Sequence, residues 1–377
     1  MKTIQEKLDI LNATDKIKYY VAFSYLLNVR PLFKAQLLEY FDFDIKRAWQ
    51  ADEKDFAAMA ENLGISIPRN FLSQRDKLDV DECYKKAFLD KNVKIITVED
   101  EKYPPLLKEI PDFPLSLYYK GNLDDIDYSC NLAVVGSRNA SIDAKLALNN
   151  LISQLGNTNI NIISGLAYGI DAQAHKSAIE NNLKTIGVIG CGLDIVYPAQ
   201  NKYLYDKIEQ DFGVIFSEYP LKTRPMAGNF PQRNRIVVGM SKGTLVAEAQ
   251  LKSGAMISAN LTLDYNRELM CLPGNIMNPN TEGIYHLIKN GAGIAINAQD
   301  ILNQLNWGEL EQKEQVCDCE LNEVEKNVLD IISIEAKSFD EIIGSTNIEV
   351  SQLMITLTEL EIKGLVVQNN GKYYKAK

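Results

Sequence analysis

The segment "GNFPQRNRIVVG" at 228–239 brings together residue types that could bind a nucleic acid. The arginine side chain binds phosphate through a fork of N–H donors, and a phenyl ring offers a flat surface for a base. The span 219–247 holds no aspartate or glutamate, and its basic residues are Lys222, Arg224, Arg233, Arg235 and Lys242. This span predicts a local polyanion-binding site in a chain whose formal net charge is -10.

Glycine-bearing turns are the second set of residues that could bind phosphate. Each follows an apolar run: Gly136-Ser137-Arg138, Ser164-Gly165, Gly169-Ile170-Asp171, Gly190-Cys191-Gly192 and Ser253-Gly254. Glycine lets backbone N–H groups approach a ligand closely, and the N-terminus of a following helix favours an anion. Any one of these turns is typical of an ordinary strand–helix connection. Their number, combined with the arginine pair, predicts a phosphate-binding edge.

Candidate acid–base groups are few. His175 follows Asp171 by one helical turn, and we interpret Asp171 as an N-cap and His175 as a packed, hydrogen-bonded residue. Asp194 and Glu248 follow predicted strands, but no Ser-His-Asp or metal-ligand pattern surrounds them. The sequence therefore predicts no catalytic residues and no metal site.

The elements that position these residues follow from an alternating pattern over 130–305. Apolar runs separated by helix-length segments predict a mainly parallel sheet with helices on both faces. The predicted strands are 132–136, 161–164, 185–190, 213–218, 244–249 and 268–274. This is a doubly wound, Rossmann-like α/β fold, in which ligands bind outside the carboxyl ends of the strands.

The flanking sequence predicts further domains. Helical spacing near the N-terminus, four prolines between 104 and 114, an acidic stretch after 306 and a final hairpin with Asn370-Gly371 at its turn mark the boundaries. We predict a helical N-terminal domain of the SAM or helix-hairpin-helix type over 1–75, a connector with short strands over 76–130, the Rossmann-like domain over 131–306, a linker over 307–320 and a winged-helix domain over 321–377.

Composition limits the class of protein and its cellular compartment. Apolar residues make up 46% of the 377 residues, which is enough for a sizeable core. No apolar run is long enough to cross a bilayer, and the charged N-terminus is unlike a signal peptide. The scattered cysteines favour a reducing compartment. We expect a cytoplasmic protein without a membrane partner.

Several motifs in order closely resemble the DNA-processing protein A family, DprA, also called Smf. They are "VVGSR", "SGLAYGIDAQAH", "GCGLDIVYPAQNKYL", "SEYP", "FPQRNRIVVGMS", "VAEAQLKSGAMISA" and "LPGN", over 134–275. The helical N-terminus and the winged helix match the family's usual flanks, so the resemblance covers nearly the whole chain. Cys191 stands where the family usually has glycine, and Ser258 where threonine is common.

The resemblance implies a protein that binds single-stranded DNA, loads the recombinase RecA onto it in natural transformation, works as a homodimer and uses no nucleotide cofactor. It implies that Phe230 supplies an apolar surface for a base. The DNA-binding residues that we predict are Gly136, Ser137, Arg138, Ser164, Gly165, Phe230, Arg233, Asn234, Arg235, Lys242, Ser253 and Gly254.

Two alternatives stay open. "GMSKGTLVAEA", with Glu248, resembles nucleotide phosphoribohydrolases of the lysine-decarboxylase-like group, although the Gly-Gly motif of that group is absent. A transcription regulator would use the winged helix. Residues 320–377 hold ten acids against six lysines, which is a poor match to a phosphate backbone, so we favour an accessory or protein-contact role for this domain.

Overall fold

The structure is a computed structural model that describes residues 15–308, 322–334, 337–346, 348–362, 365–369 and 371–375. The chain divides into two compact units, 1–313 and 314–377. Most of the predicted linker, 309–320, and the first residues of the predicted N-terminal domain, 1–14, lie outside the described residues. The predicted boundaries at 75 and 130 stay predictions, since residues on both sides share one apolar core in the larger unit.

Short helices form the N-terminal part of the larger unit. They are α1 (15–24), α2 (Pro31–Tyr40), α3 (Ile45–Gln50), α4 (Glu53–Leu63), α5 (Phe71–Arg75) and α6 (Val80–Ala87). Local sequence sets their ends. Asp52 and Asp55 form a capping box at the start of α4, and Gly64 ends that helix with φ 63°. Phe23 and Trp49 pack edge to face at 5.0 Å, which joins α1 to α3.

A nine-stranded sheet is the centre of the larger unit. Its strands are β1 (Lys94–Thr97), β2 (Ser116–Gly121), β3 (Asn131–Val135), β4 (Asn161–Ser164), β5 (Lys184–Ile189), β6 (Gly213–Ser217), β7 (Gly243–Val246), β8 (Glu268–Cys271) and β9 (Gly293–Ile294). Their order is β1-β2-β6-β5-β4-β3-β7-β8-β9. The pairs β1–β2 and β2–β6 are antiparallel, and all the others are parallel. The predicted mainly parallel, Rossmann-like fold is confirmed.

Helices of the sheet region alternate with these strands. They are α7 (Ile142–Ser153), α8 (Ile170–Glu180), α9 (Lys202–Lys207), α10 (Asn229–Gly239), α11 (Gly254–Asp264), α12 (Glu282–Lys289) and α13 (Ala298–Leu305). Ser141 caps α7 by accepting a hydrogen bond from the backbone of Ala144. β3 pairs with β4 on one side and with β7 on the other. The strand order therefore reverses beside β3, and a crevice is expected at its carboxyl end.

The smaller unit has the predicted winged-helix elements. They are α14 (Glu323–Ile334), β10 (Lys337–Ser338), α15 (Phe339–Ser345), α16 (Val350–Ile362), β11 (Val366–Asn369) and β12 (Lys372–Lys375), with the strand order β10-β12-β11. Val328, Ile342 and Leu357 belong to its buried core. Gly371 has φ 77°, as the predicted hairpin turn requires, whereas Asn370 lies outside the described residues. No helix in the described ranges of the chain could cross a membrane.

Candidate functional site

A cleft of about 790 Å³ opens at the carboxyl edge of the sheet. Its walls come from the turn after β3, the turn after β4 and the first turns of α10 and α11. Nine of the predicted residues line it: Gly136, Ser137, Arg138, Gly165, Phe230, Arg233, Asn234, Ser253 and Gly254. Residues that are far apart in the chain therefore meet where the strand order reverses, as the doubly wound topology predicts.

The turn after β3 is held tightly against the start of α8. The backbone N–H of Ser137 donates to the carbonyl oxygen of Glu248 at 2.8 Å, and that of Ile170 donates to the carbonyl oxygen of Ser137 at 3.1 Å. Gly169 has φ 78°, and a Cβ added there would overlap the carbonyl oxygen of Ser137. Glycine is needed at 169 for both reasons, and this packing brings the backbone of Ser137 and Arg138 against the start of α8.

Arg138 and Phe230 lie together at the mouth of the cleft. The guanidinium carbon of Arg138 is 4.9 Å from the centroid of the Phe230 ring. Arg138 is exposed, and Phe230 is half-buried. Tyr197 stacks on Phe230, with 5.7 Å between ring centroids and 28° between ring planes. An exposed positive charge and an aromatic ring thus lie together, and proteins that bind single strands combine these two features.

Arg233 lies beneath the cleft. Its side chain is buried, one Nη donates to the carbonyl oxygen of Val188, and Nε has no hydrogen-bond partner among the described residues. A Cβ at 165 would overlap the guanidinium, so a larger residue there would displace the Arg233 side chain. Burial lowers the pKa of Arg233, and the neighbouring Asp171 carboxyl opposes this effect. An anion in the cleft would add negative charge beside this buried guanidinium.

Two helix N-termini face the cleft without side-chain caps. Gly228 precedes α10 and Ser253 precedes α11, and neither makes a side-chain cap hydrogen bond. The first turns of both helices hold no acidic residue. Such termini present backbone N–H groups and a positive dipole end, which together favour an anion.

Arg235 is not in the cleft, contrary to what the basic segment suggests. Its side chain is 3% exposed. One Nη donates to Glu218 Oε2 at 2.5 Å, and the other donates to the carbonyl oxygen of Asp112 at 2.6 Å. Successive helical residues are about 100° apart, so residues 233 and 235 of α10 project to different sides. Arg235 anchors α10 to the protein interior.

Lys242 and Ser164 are also not brought to the cleft surface. Lys242 precedes β7, and its backbone N–H donates to the carbonyl oxygen of Asn131 at the start of β3. It therefore lies at the amino edge of the sheet, opposite the cleft. Ser164 is fully buried, and its hydroxyl donates to the carbonyl oxygen of Val134 at 2.7 Å. Only its neighbour Gly165 reaches the cleft.

His175 and Glu248, two ionisable groups that could act in catalysis, are buried and hydrogen-bonded to other parts of the protein. His175 is fully buried against Thr185 Oγ1 at 2.7 Å, and burial lowers its pKa to about 3. The carboxylate of Glu248 is buried and accepts hydrogen bonds from Ser141 and Asn278. These contacts occupy the group that the phosphoribohydrolase alternative would need to be free.

Asp171 is the one acid among the residues that line the cleft. The predicted N-cap role is wrong, because α8 begins at Ile170 and its cap residue is Gly169. Burial raises the pKa of Asp171, and the neighbouring Arg233 opposes this effect. Among the described residues, no three His, Cys, Asp or Glu side chains are grouped as a metal site would need.

Residues that the sequence reasoning missed also line the cleft, namely Asn139, Tyr197, Pro225, Gln250 and Asn280. Tyr197 is the most informative of them because of its contact with Phe230. It sits in "DIVYPAQNKYL", where a tyrosine before proline has no spacing that signals binding. Only the folded chain shows this contact.

Comparison with known families supports the fold and shows the family of the chain. The family model for the DNA recombination-mediator protein A matches residues 94–306, and the model for the DprA winged helix domain matches residues 314–372. Protein Smf of Synechocystis sp. is 31% identical over 399 residues, covering 96% of this chain and 99% of that protein. DNA processing protein DprA of Streptococcus pneumoniae is 38% identical over 249 residues, covering 66% of this chain and 86% of that protein.

Two solved structures are similar at the level of the fold. The X-ray structure of DprA from Streptococcus pneumoniae has a TM-score of 0.62 and 34% identity, covering 73% of this chain and 95% of that one. The structure of DNA processing protein A from Helicobacter pylori has a TM-score of 0.51 and 31% identity, covering 57% of this chain and 96% of that one. Its description concerns a single-stranded DNA binding mode of that protein.

Proposed function

This chain belongs to the DNA recombination-mediator protein A family, and we propose that its cleft binds single-stranded DNA without a strong sequence preference. The observation that carries the proposal is the convergence of an exposed arginine, a buried arginine, two uncapped helix N-termini and a half-buried phenyl ring in one cleft. The binding mode described for the Helicobacter pylori relative supports it. No catalytic step is part of the proposal.

The phosphate backbone would enter between the turn after β3 and the start of α11. Arg138 would contact a phosphate directly, because it is exposed and lies at the mouth of the cleft. Arg233 would act from below as a fixed positive charge, and Ser253-Gly254 would present backbone N–H groups. A base would lie near Phe230. Contacts of this kind read the backbone rather than base edges, which is why we expect little sequence preference.

Gly254→Ala tests the phosphate contact at the start of α11. No heavy atom lies within 4 Å of a Cβ added at this position, so we expect unchanged thermal unfolding. If a phosphate approaches these N–H groups, the methyl group takes its space and single-strand affinity falls by about 10- to 150-fold, the range for loss of one charge-assisted hydrogen bond. Fluorescence anisotropy with a labelled oligonucleotide measures this.

Gly344→Ala is the matched control, because a Cβ there also meets no atom within 4 Å and the residue belongs to the smaller unit. Equal affinity of Gly254→Ala, Gly344→Ala and the unchanged protein would mean that no phosphate comes close to the start of α11.

Membership of the family supports a proposal about the compartment, the oligomeric state and the protein partner. We propose that the protein acts in the cytoplasm as a homodimer and loads RecA onto the bound strand during natural transformation. We assign the acidic winged helix an accessory or protein-contact role, since its charge disfavours a phosphate backbone. RecA nucleation on single strands covered by a single-strand-binding protein tests the loading step, and sedimentation tests the dimer.

A further inference from the structure

A small pocket of about 20 Å³ lies beside the main cleft and shares Arg138, Phe230 and Arg233 with it. Aromatic residues supply much of its wall, because Tyr168 and Tyr197 line it together with Phe230. Each tyrosine side chain is 42% exposed, which leaves ring surface open to solvent. Two exposed tyrosine rings therefore lie next to the main cleft.

Two side chains contact the Phe230 ring. The Arg138 guanidinium lies over the ring, and Tyr197 is stacked on it. Tyr197 extends the aromatic surface beyond Phe230, because it lines both the main cleft and the small pocket. A base that leaves the cleft would therefore meet Tyr197 as the accessible ring.

Hydrogen bonds fix the loops that present the two tyrosines. The Tyr168 hydroxyl donates to Gln200 Oε1, and the Asn201 side-chain amide donates to the carbonyl oxygens of Leu166 and Ala167. These bonds join the loop after β4 to the turn that follows Tyr197. A platform held in this way loses little conformational entropy when a ligand binds.

We propose that Tyr197 and Tyr168 form a base-stacking platform that receives the nucleotide next to the one held in the cleft. The proposal rests on the proposed single-strand binding and adds the path that the strand takes. Stacking on an aromatic face suits every base, so the platform adds affinity without adding sequence preference.

Replacing Tyr197 isolates the contribution of its aromatic ring to the affinity for single-stranded DNA. We expect Tyr197→Ala to weaken binding of a single-stranded oligonucleotide by about 5- to 150-fold, the range that corresponds to loss of one stacked base. We expect a smaller loss for Tyr168→Ala. The slope of log affinity against log salt should not change, because no charge is removed. Tyr197→Phe keeps the ring and should bind within about twofold of the unchanged protein.

Two controls test whether the loss of affinity belongs to Tyr197 and to base stacking. Tyr203→Ala removes a 53% exposed tyrosine of α9 that does not line the cleft, and it should bind normally. An abasic oligonucleotide offers phosphates without bases, so Tyr197→Ala and the unchanged protein should bind it equally.

The outcomes are distinguishable from failure of the proposed function. If the unchanged protein does not bind single strands, both proposals are wrong. If it binds and Arg138→Ala weakens it, but Tyr197→Ala binds like the unchanged protein, only the platform is wrong. An equal loss in Tyr197→Phe and Tyr197→Ala, or an equal loss on abasic DNA, would also overturn the platform, because either result assigns the effect to something other than stacking.

Discussion

Replacing Arg235 with alanine is expected to lower the free energy of unfolding by about 3–5 kcal/mol, the cost of removing one partner from a buried ion pair. The side chains of Arg235 and Glu218 are 3% and 13% exposed, so the remaining carboxylate would stay in a poorly hydrated place without its partner. The carbonyl oxygen of Asp112 would lose its donor as well. Urea denaturation of the variant measures the change.

Arg224→Ala is the matched control for Arg235→Ala. Arg224 belongs to the same acid-free segment, but it is exposed. We expect a change in unfolding free energy within about 0.5 kcal/mol, as for most surface substitutions. If Arg235→Ala unfolded like the unchanged protein and instead reduced the salt dependence of DNA binding, Arg235 would be a phosphate contact and its assignment as an anchor would be wrong.

Replacing Arg138 with alanine is expected to weaken single-strand binding by about 10- to 150-fold, which corresponds to one hydrogen-bonded contact with a charged group. The slope of log affinity against log salt should become less steep by about 0.7, the contribution of one phosphate contact on a single strand. The fold should not suffer, because Arg138 is exposed and its ring contact with Phe230 is at the surface of the cleft. Anisotropy titrations at several salt concentrations measure both quantities.

Arg138→Lys refines this test. Lysine keeps the positive charge but lacks the planar fork of N–H donors. The salt slope should therefore stay near its original value while the affinity falls between those of the unchanged protein and Arg138→Ala. Normal affinity and slope in Arg138→Ala would place the phosphate contact elsewhere.

Most of the fold could be predicted from the sequence because its signals are local. Short apolar runs bounded by glycine gave strand positions within a few residues, and β4 lies at 161–164 as predicted. The gathering of the glycine turns followed from topology, because parallel strands place their carboxyl ends on one edge. The positions of β1 and β2 in the sheet could not be predicted from local sequence. β2 joins the sheet by antiparallel pairing with β6, which lies far away in the sequence, and β1 pairs with β2.

The candidate site was predicted less completely. Arg233 and Arg235 lie two residues apart in the sequence, which predicts one shared site. Both belong to the helix that begins at Asn229, however, and this helix directs their side chains to different sides. The acids that pair with Arg235 lie outside the acid-free span, and one of them is more than a hundred positions away. The sequence also predicts Lys242 as a DNA-binding residue. Because Lys242 precedes strand β7, it lies at the amino edge of the sheet, away from the cleft.

The most direct test of the account compares single-stranded and duplex DNA of the same sequence and length. Anisotropy titrations at about 50 and 200 mM salt cover the range in which phosphate contacts dominate affinity. We predict tighter binding to the single strand at both concentrations, with an affinity that falls as salt rises. The physical reason is that Phe230 and the cleft need an unpaired backbone with accessible bases. Equal or tighter binding to the duplex would contradict the assignment of the cleft to single-stranded DNA.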